Sequence, residues 1–208
     1  MGTKDILKGQ AMTRSECIQA IIAGIEIVHT LKDKGYNMFI TGEMGIGNTT
    51  TSSAILSVLE DIPVEKVTGK GAGLTKNGIN HKIEVINTAI KVNAPNKNDV
   101  IDVMAKLGGF DICAIAGAFL GGAIYHVPVI IDGFISAVSA ERLCCVQRIS
   151  PPKPAGKEPR QAPSGRFCCF LLSHLKHICE GLNCCTSLSE IAHLLIDTQL
   201  DMRNVCCL

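Results

Sequence analysis

The sequence predicts an α/β fold, a partial parallel sheet with flanking helices in a Rossmann-like three-layer arrangement, followed by an irregular C-terminal tail. Two short apolar runs, 37–41 and 128–132, each end in glycine, and a helix-forming segment follows each. Between them lie amphipathic stretches long enough to serve as crossover helices, and this alternation is the pattern of a parallel sheet. In such sheets ligands bind beyond the carboxyl ends of the strands, which is where both glycine turns fall.

The elements can be justified in chain order. Thr13-Arg14-Ser15-Glu16 has the form of a capping box, a hydroxyl followed three residues later by a carboxylate. Ile18, Ile21, Ile22, Ile25, Val28 and Leu31 then recur at three- and four-residue spacing, the mark of an amphipathic helix that Gly35 ends. The run 37–41 is short, apolar and bounded by glycine, as a buried parallel strand is. A second helix is expected from near Thr49 to about Glu60. Ile79, Ile83, Ile86 and Ile90 stripe a third, and another spans 100–107. Residues 110–124 are apolar nearly all round and rich in Ala and Gly, which predicts a helix packed closely between neighbours. A second strand at 128–132 and a helix over 134–143 complete the domain.

Composition narrows the function classes. The chain has 208 residues, is 47% hydrophobic and 19% charged, and carries a formal net charge of +1. That balance offers no basic footprint for nucleic acid. No apolar run approaches the roughly 18 residues of a membrane span, and the N-terminus has no apolar region after a basic start, so a cytoplasmic protein is expected. Cysteine divides the chain in two: of 11, only Cys17 and Cys113 precede residue 144. The expected domains are therefore 1–143, an α/β unit, and 144–208, a Cys/Pro-rich tail.

Gly42-Glu43-Met44-Gly45-Ile46-Gly47-Asn48-Thr49-Thr50 is the most informative stretch. It joins a strand to a helix, so free backbone N–H groups and the helix dipole face outward and suit an anion. Against the nucleoside-triphosphate loop Gly-x-x-x-x-Gly-Lys-Ser/Thr, residues Gly42, Gly47 and Thr49 match, but Asn48 stands where the lysine belongs. A single phosphate needs no such lysine. Glu43 is out of place among anion-binding amides unless it has another task, such as holding ribose hydroxyls or facing a developing cation.

The segment from Glu43 to Thr50 resembles the signature of the nicotinate-nucleotide–dimethylbenzimidazole phosphoribosyltransferase family. Gly69-Lys70-Gly71-Ala72-Gly73-Leu74, Lys82, Leu107-Gly108-Gly109-Phe110-Asp111 and Val129-Ile130-Ile131-Asp132-Gly133-Phe134-Ile135-Ser136 follow in the family's order, and the resemblance covers about residues 2–142. It implies transfer of phosphoribosyl from nicotinate mononucleotide to 5,6-dimethylbenzimidazole, giving α-ribazole 5'-phosphate and nicotinate in cobalamin biosynthesis. No cofactor and no metal are implied, and a family-like homodimer is. The phosphate is expected against Gly45, Ile46, Gly47, Asn48, Thr49 and Thr50. Glu43, Lys82, Gly69 and Gly71 match positions at the nucleotide site, and Asp132 and Gly133 match the motif at the second strand end. Competing readings are plain ones: Lys82 as a solvated lysine on an amphipathic helix, and Asp132 as an N-cap of the helix after it. His81 and His126 lack partners at metal-ligand spacing, and Met38 and Met44 read as packing.

The chain departs from the family at both ends. The upstream part that helps build the benzimidazole pocket is absent. The downstream motif Met-Arg-Leu-Gly-Glu-Gly-Thr-Gly, with the family's general base, has only the trace Leu200-Asp201-Met202-Arg203. Glu43 is then the one auxiliary carboxylate, and the alternative function is a catalytically impaired fragment that binds only a nucleoside monophosphate. The tail's paired cysteines do not fit zinc-finger spacing, and the last four residues do not fit a prenyl anchor. A Pro-rich linker with short helices at 171–182 and 188–195 is one reading. An abrupt loss of resemblance amid adjacent rare residues fits a shifted reading frame better.

Overall fold

The computed structural model describes residues 2–71 and 73–141, together with the backbone of 205–207. Among these residues the order is α1 (Arg14–Asp33), β1 (Met38–Ile40), α2 (Asn48–Glu60), α3 (Val64–Val67), α4 (Lys76–Asn93), α5 (Val100–Leu107), α6 (Phe110–Ile124), β2 (Val129–Ile130), α7 (Phe134–Ala140) and β3 (Val205–Cys207). The fold is α/β, as the alternation of patterns predicts. Helices α5 and α6 occupy the expected bounds, while α3 has no periodic signal because it is a single turn.

The sheet is parallel, in the order β2-β1-β3. Phe39 is in register with Val129 and Ile40 with Ile130. On the other edge Phe39 is in register with Cys206. The tail expected to be irregular thus contributes one strand. An open edge of β1 presents unpaired N–H and C=O groups that any extended segment can satisfy. The linker, the two tail helices and the cysteine cluster read at 144–204 lie outside the described residues.

Two apolar clusters hold the domain. One joins α1, α2, α4, α5 and α6 through residues such as Ile55, Leu59, Ile86, Leu107 and Ile112. The other seats Phe39 and Val129 of the strands against Val28 of α1, Phe119 of α6 and Ala140 of α7. The capping box is present as read: the Thr13 hydroxyl accepts from the Glu16 N–H, and the Glu16 carboxylate accepts from the Thr13 N–H.

The buried face of α1 differs from the isoleucine stripe. Cys17, Ile21, Gly24 and Val28 face inward, whereas Ile18 and Ile22 remain 40% and 45% exposed. Close helix packing decides this. Helices α1 and α6 run parallel with Ile21 on Gly117, Gly24 on Ala114 and Ala118, and Val28 on Gly121. Small residues let the backbones approach, so the seam forms along the glycine row and not along the bulkiest row. Cys17 and Cys113 complete it, with their sulfurs 3.6 Å apart and both buried.

Candidate functional site

The glycine loop runs from the carboxyl end of β1 to the N-terminus of α2. Gly47 is the N-cap of α2 and is left-handed, at φ 87° and ψ −12°. No side chain caps the first turn, so its positive end is unneutralised and has the electrostatics to attract an anion. A methyl group added at Gly47 would meet nothing within 4 Å. The glycine is favoured here by backbone conformation, since nothing in the surrounding protein excludes a side chain.

Lys82 comes to this helix end from α4. Its ammonium donates to the Thr49 hydroxyl at 2.8 Å, and the residue is only 7% exposed. The solvated-face reading of Lys82 is therefore overturned. The signal was in the spacing: Lys82, Ile86 and Ala89 lie at i, i+4 and i+7, the row that α4 buries. Burial lowers the Lys82 pKa from the ordinary lysine value of 10.5. The cation that position 48 lacks thus reaches the loop from a different helix, 33 residues along the chain.

The remaining residues fall around this pair. A methyl group at Gly71 would sit 3.1 Å from the Thr49 hydroxyl and 3.7 Å from the Lys82 nitrogen, so the second glycine turn closes over both. Gly69 precedes that turn and is half-buried. Glu43 accepts from the Asn48 side-chain amide at 3.1 Å. Thr50 donates its N–H to the Gly47 carbonyl at 2.8 Å, while Ile46 and Met44 project fully into solvent. At the end of β2, Asp132 is exposed, and its carboxylate lies 3.7 Å from where a Gly42 Cβ would be. Gly133, not Asp132, is the N-cap of α7, and no side chain caps that helix. The N-cap reading of Asp132 is thereby excluded, and the carboxylate stands at the shared end of the two strands.

No group of three or more His, Cys, Asp or Glu residues placed to hold a metal occurs among the described residues. His81 and His126 are exposed. A separate cleft of about 530 Å³ lies at the opposite end of α2, between Asp61, Glu65, Asn87 and Lys97, and includes none of the predicted residues. No helix among the described residues is long and apolar enough to cross a membrane.

A strand end, an uncapped helix N-terminus and a lysine beside it have the charge and geometry that suit an anion such as phosphate on an α/β sheet. The sequence pattern of the phosphoribosyltransferase family matches residues 1–152, and the chain belongs to that family. Among its relatives, the nicotinate-nucleotide–dimethylbenzimidazole phosphoribosyltransferase of Ruminiclostridium cellulolyticum is 60% identical over 139 residues, covering 67% of this chain and 40% of that protein. The enzyme of the same name from Clostridium acetobutylicum is 56% identical over the same length. The crystal structure of CobT from Thermus thermophilus superposes with a TM-score of 0.63 at 30% identity, covering 71% of this chain and 43% of that one. The chain thus spans about 40% of the length of the curated relatives it matches.

Proposed function

We propose that this chain carries the nucleotide-binding part of an enzyme that transfers phosphoribosyl from nicotinate mononucleotide to 5,6-dimethylbenzimidazole, in cobalamin biosynthesis. The observation that carries the reading is the meeting of Lys82, Thr49 and the uncapped first turn of α2, with the Glu43 carboxylate beside them. Backbone N–H groups of residues 45–49, the side chain of Thr50 and the Lys82 ammonium anchor the phosphate. Gly69 and Gly71 bring a second stretch of backbone to the nucleotide. Glu43 faces the ribose, and Asp132 and Gly133 bound the site from the second strand. Breaking the bond to a pyridinium leaves an oxocarbenium-like ribose, which nearby carboxylates stabilise while the anchored phosphate fixes its position. The chemistry requires no metal or cofactor. Titration of nicotinate mononucleotide and of ATP against the folded protein tests the reading. Binding of the monophosphate in preference to ATP is expected, and no binding of the monophosphate would remove it.

Gly47→Val is expected to weaken nicotinate mononucleotide by at least tenfold in a protein that still folds. A β-branched residue is strained at positive φ by roughly 1–2 kcal/mol. The loop relieves that strain by turning its N–H groups away from the ligand. Calorimetric affinity close to wild type would take the loop out of the site.

Lys82 gives a pH signature. The folded chain releases this proton below the ordinary lysine value of 10.5, while the unfolded chain holds it to about that pH. Stability of the free protein therefore gains from this residue as pH rises through that window. Phosphate affinity moves the opposite way, because the ammonium that attracts the ligand is lost. Lys82→Met is expected to bind weakly and to lack that alkaline fall in a titration series between neutral pH and pH ~10.

A cytoplasmic location and a homodimer complete the proposal. Exposed Ile18 and Ile22 on α1 support the dimer, since a second copy would cover them. Light scattering at micromolar concentration reads the mass directly.

A further inference from the structure

We infer that the Asn48 side chain positions Glu43 and does not itself hold the phosphate, a role that rests on the nucleotide site described above. In a nucleoside-triphosphate loop the residue at this position reaches the ligand. Here the Asn48 side chain is only 7% exposed and donates to the Glu43 carboxylate at 3.1 Å. The amide nitrogen must face the carboxylate, because the amide oxygen in its place would set two acceptors against each other.

Gly45 supplies the second observation. A Cβ at this residue would lie 2.8 Å from the Glu43 oxygen and 2.9 Å from the Asn48 nitrogen. Gly45 is not among the left-handed glycines of the chain, so backbone conformation does not demand it. What demands it is the Glu43–Asn48 bond that passes beneath. Two residues of the loop therefore serve a third.

The need for such a tether follows from charge. Glu43 lies five residues before an uncapped helix N-terminus, where a carboxylate is itself a favourable cap. Left free, it would swing onto the N–H groups of the first turn and compete there with the phosphate. Held through one oxygen by Asn48, it keeps the other for the ribose and leaves the helix end open.

Three measurements test this. Asn48→Ala is expected to weaken nicotinate mononucleotide by about tenfold, and to cause no further loss once Glu43 is already glutamine, since the two act as one unit. The same loss is expected with nicotinate riboside, which has no phosphate. If the loss appears only with the nucleotide, or adds in full to that of Glu43→Gln, the Asn48 side chain contacts the phosphate and the inference is overturned. The third measurement needs no ligand. Solvent exchange of the Asn48 side-chain amide, followed by NMR, is expected to quicken in Glu43→Ala, and an unchanged amide overturns the inference too. Wild-type protein that fails to bind the nucleotide while the amide responds would instead sink the proposed function and leave the tether standing.

Discussion

Purified 208-residue protein is expected to form α-ribazole 5'-phosphate at a rate roughly 10²–10⁴-fold below that of full-length relatives. A positioned general base contributes about that much, equivalent to roughly 3–5 kcal/mol of transition-state stabilisation. The family motif that carries this base does not occur in the sequence. Among the residues at the site, Glu43 is tied to Asn48 and sits against the phosphate end of the loop. In the proposed site it serves the ribose and not the incoming benzimidazole ring. Asp132 is the other carboxylate nearby and is exposed at the second strand end. The assay follows α-ribazole 5'-phosphate from nicotinate mononucleotide and 5,6-dimethylbenzimidazole. Turnover matching a full-length relative would show that a base is supplied from elsewhere in the chain. Nucleotide binding without turnover would match the alternative of a chain that only binds.

Gly117→Ala is expected to lower stability by about 3 kcal/mol, near the upper end of what overpacking costs. The added Cβ would stand within van der Waals overlap of the Ile21 carbonyl oxygen, 2.8 Å from its carbon and 3.0 Å from the Ile21 Cα. All three are backbone atoms, so no rotamer change relieves the contact and the helices must part. Parting them loosens the whole seam of α1 on α6, since Gly24 on Ala114 and Gly121 on Val28 depend on the same separation. A domain of ordinary stability has about 5–15 kcal/mol in total. For a unit of this size the loss is about 10 °C in melting temperature, read by circular dichroism. Gly24→Ala, which meets the Ala114 carbonyl in the same way, should match it. Unchanged melts in both variants would mean the two helices are not held at the distance described.

Much of the site was legible because its signals are local. Gly42 to Thr50 lie within one strand-turn-helix, so their order in the chain is also their order in space. The missing lysine of the loop was legible as well, as Asn48. Its replacement was named only through the family resemblance, because Lys82 reaches Thr49 only once α4 packs against α2, and nothing in either segment alone specifies that contact. Even so, the row Lys82, Ile86, Ala89 marked the lysine as inward-facing, and a reading of the isoleucines by themselves passed over it.

What the sequence by itself determined about this protein is the alternation of elements, the capping box of α1, the bounds of α5 and α6, and the glycine loop at a strand end. Each depends on spacing within a few residues, where the 3.6-residue period, side-chain caps and glycine act directly on the backbone. Tertiary structure alone decided which face of α1 is buried, since the approach permitted by Gly24, Gly117 and Gly121 outweighs the larger apolar area of Ile18 and Ile22. It also decided that Val205–Cys207 pairs with β1, a contact across more than 160 residues that no local pattern encodes. And it brought Lys82 to Thr49. A hydrogen bond of that kind depends on where separate elements come to rest against a shared core, and that position is set by packing summed over the whole domain.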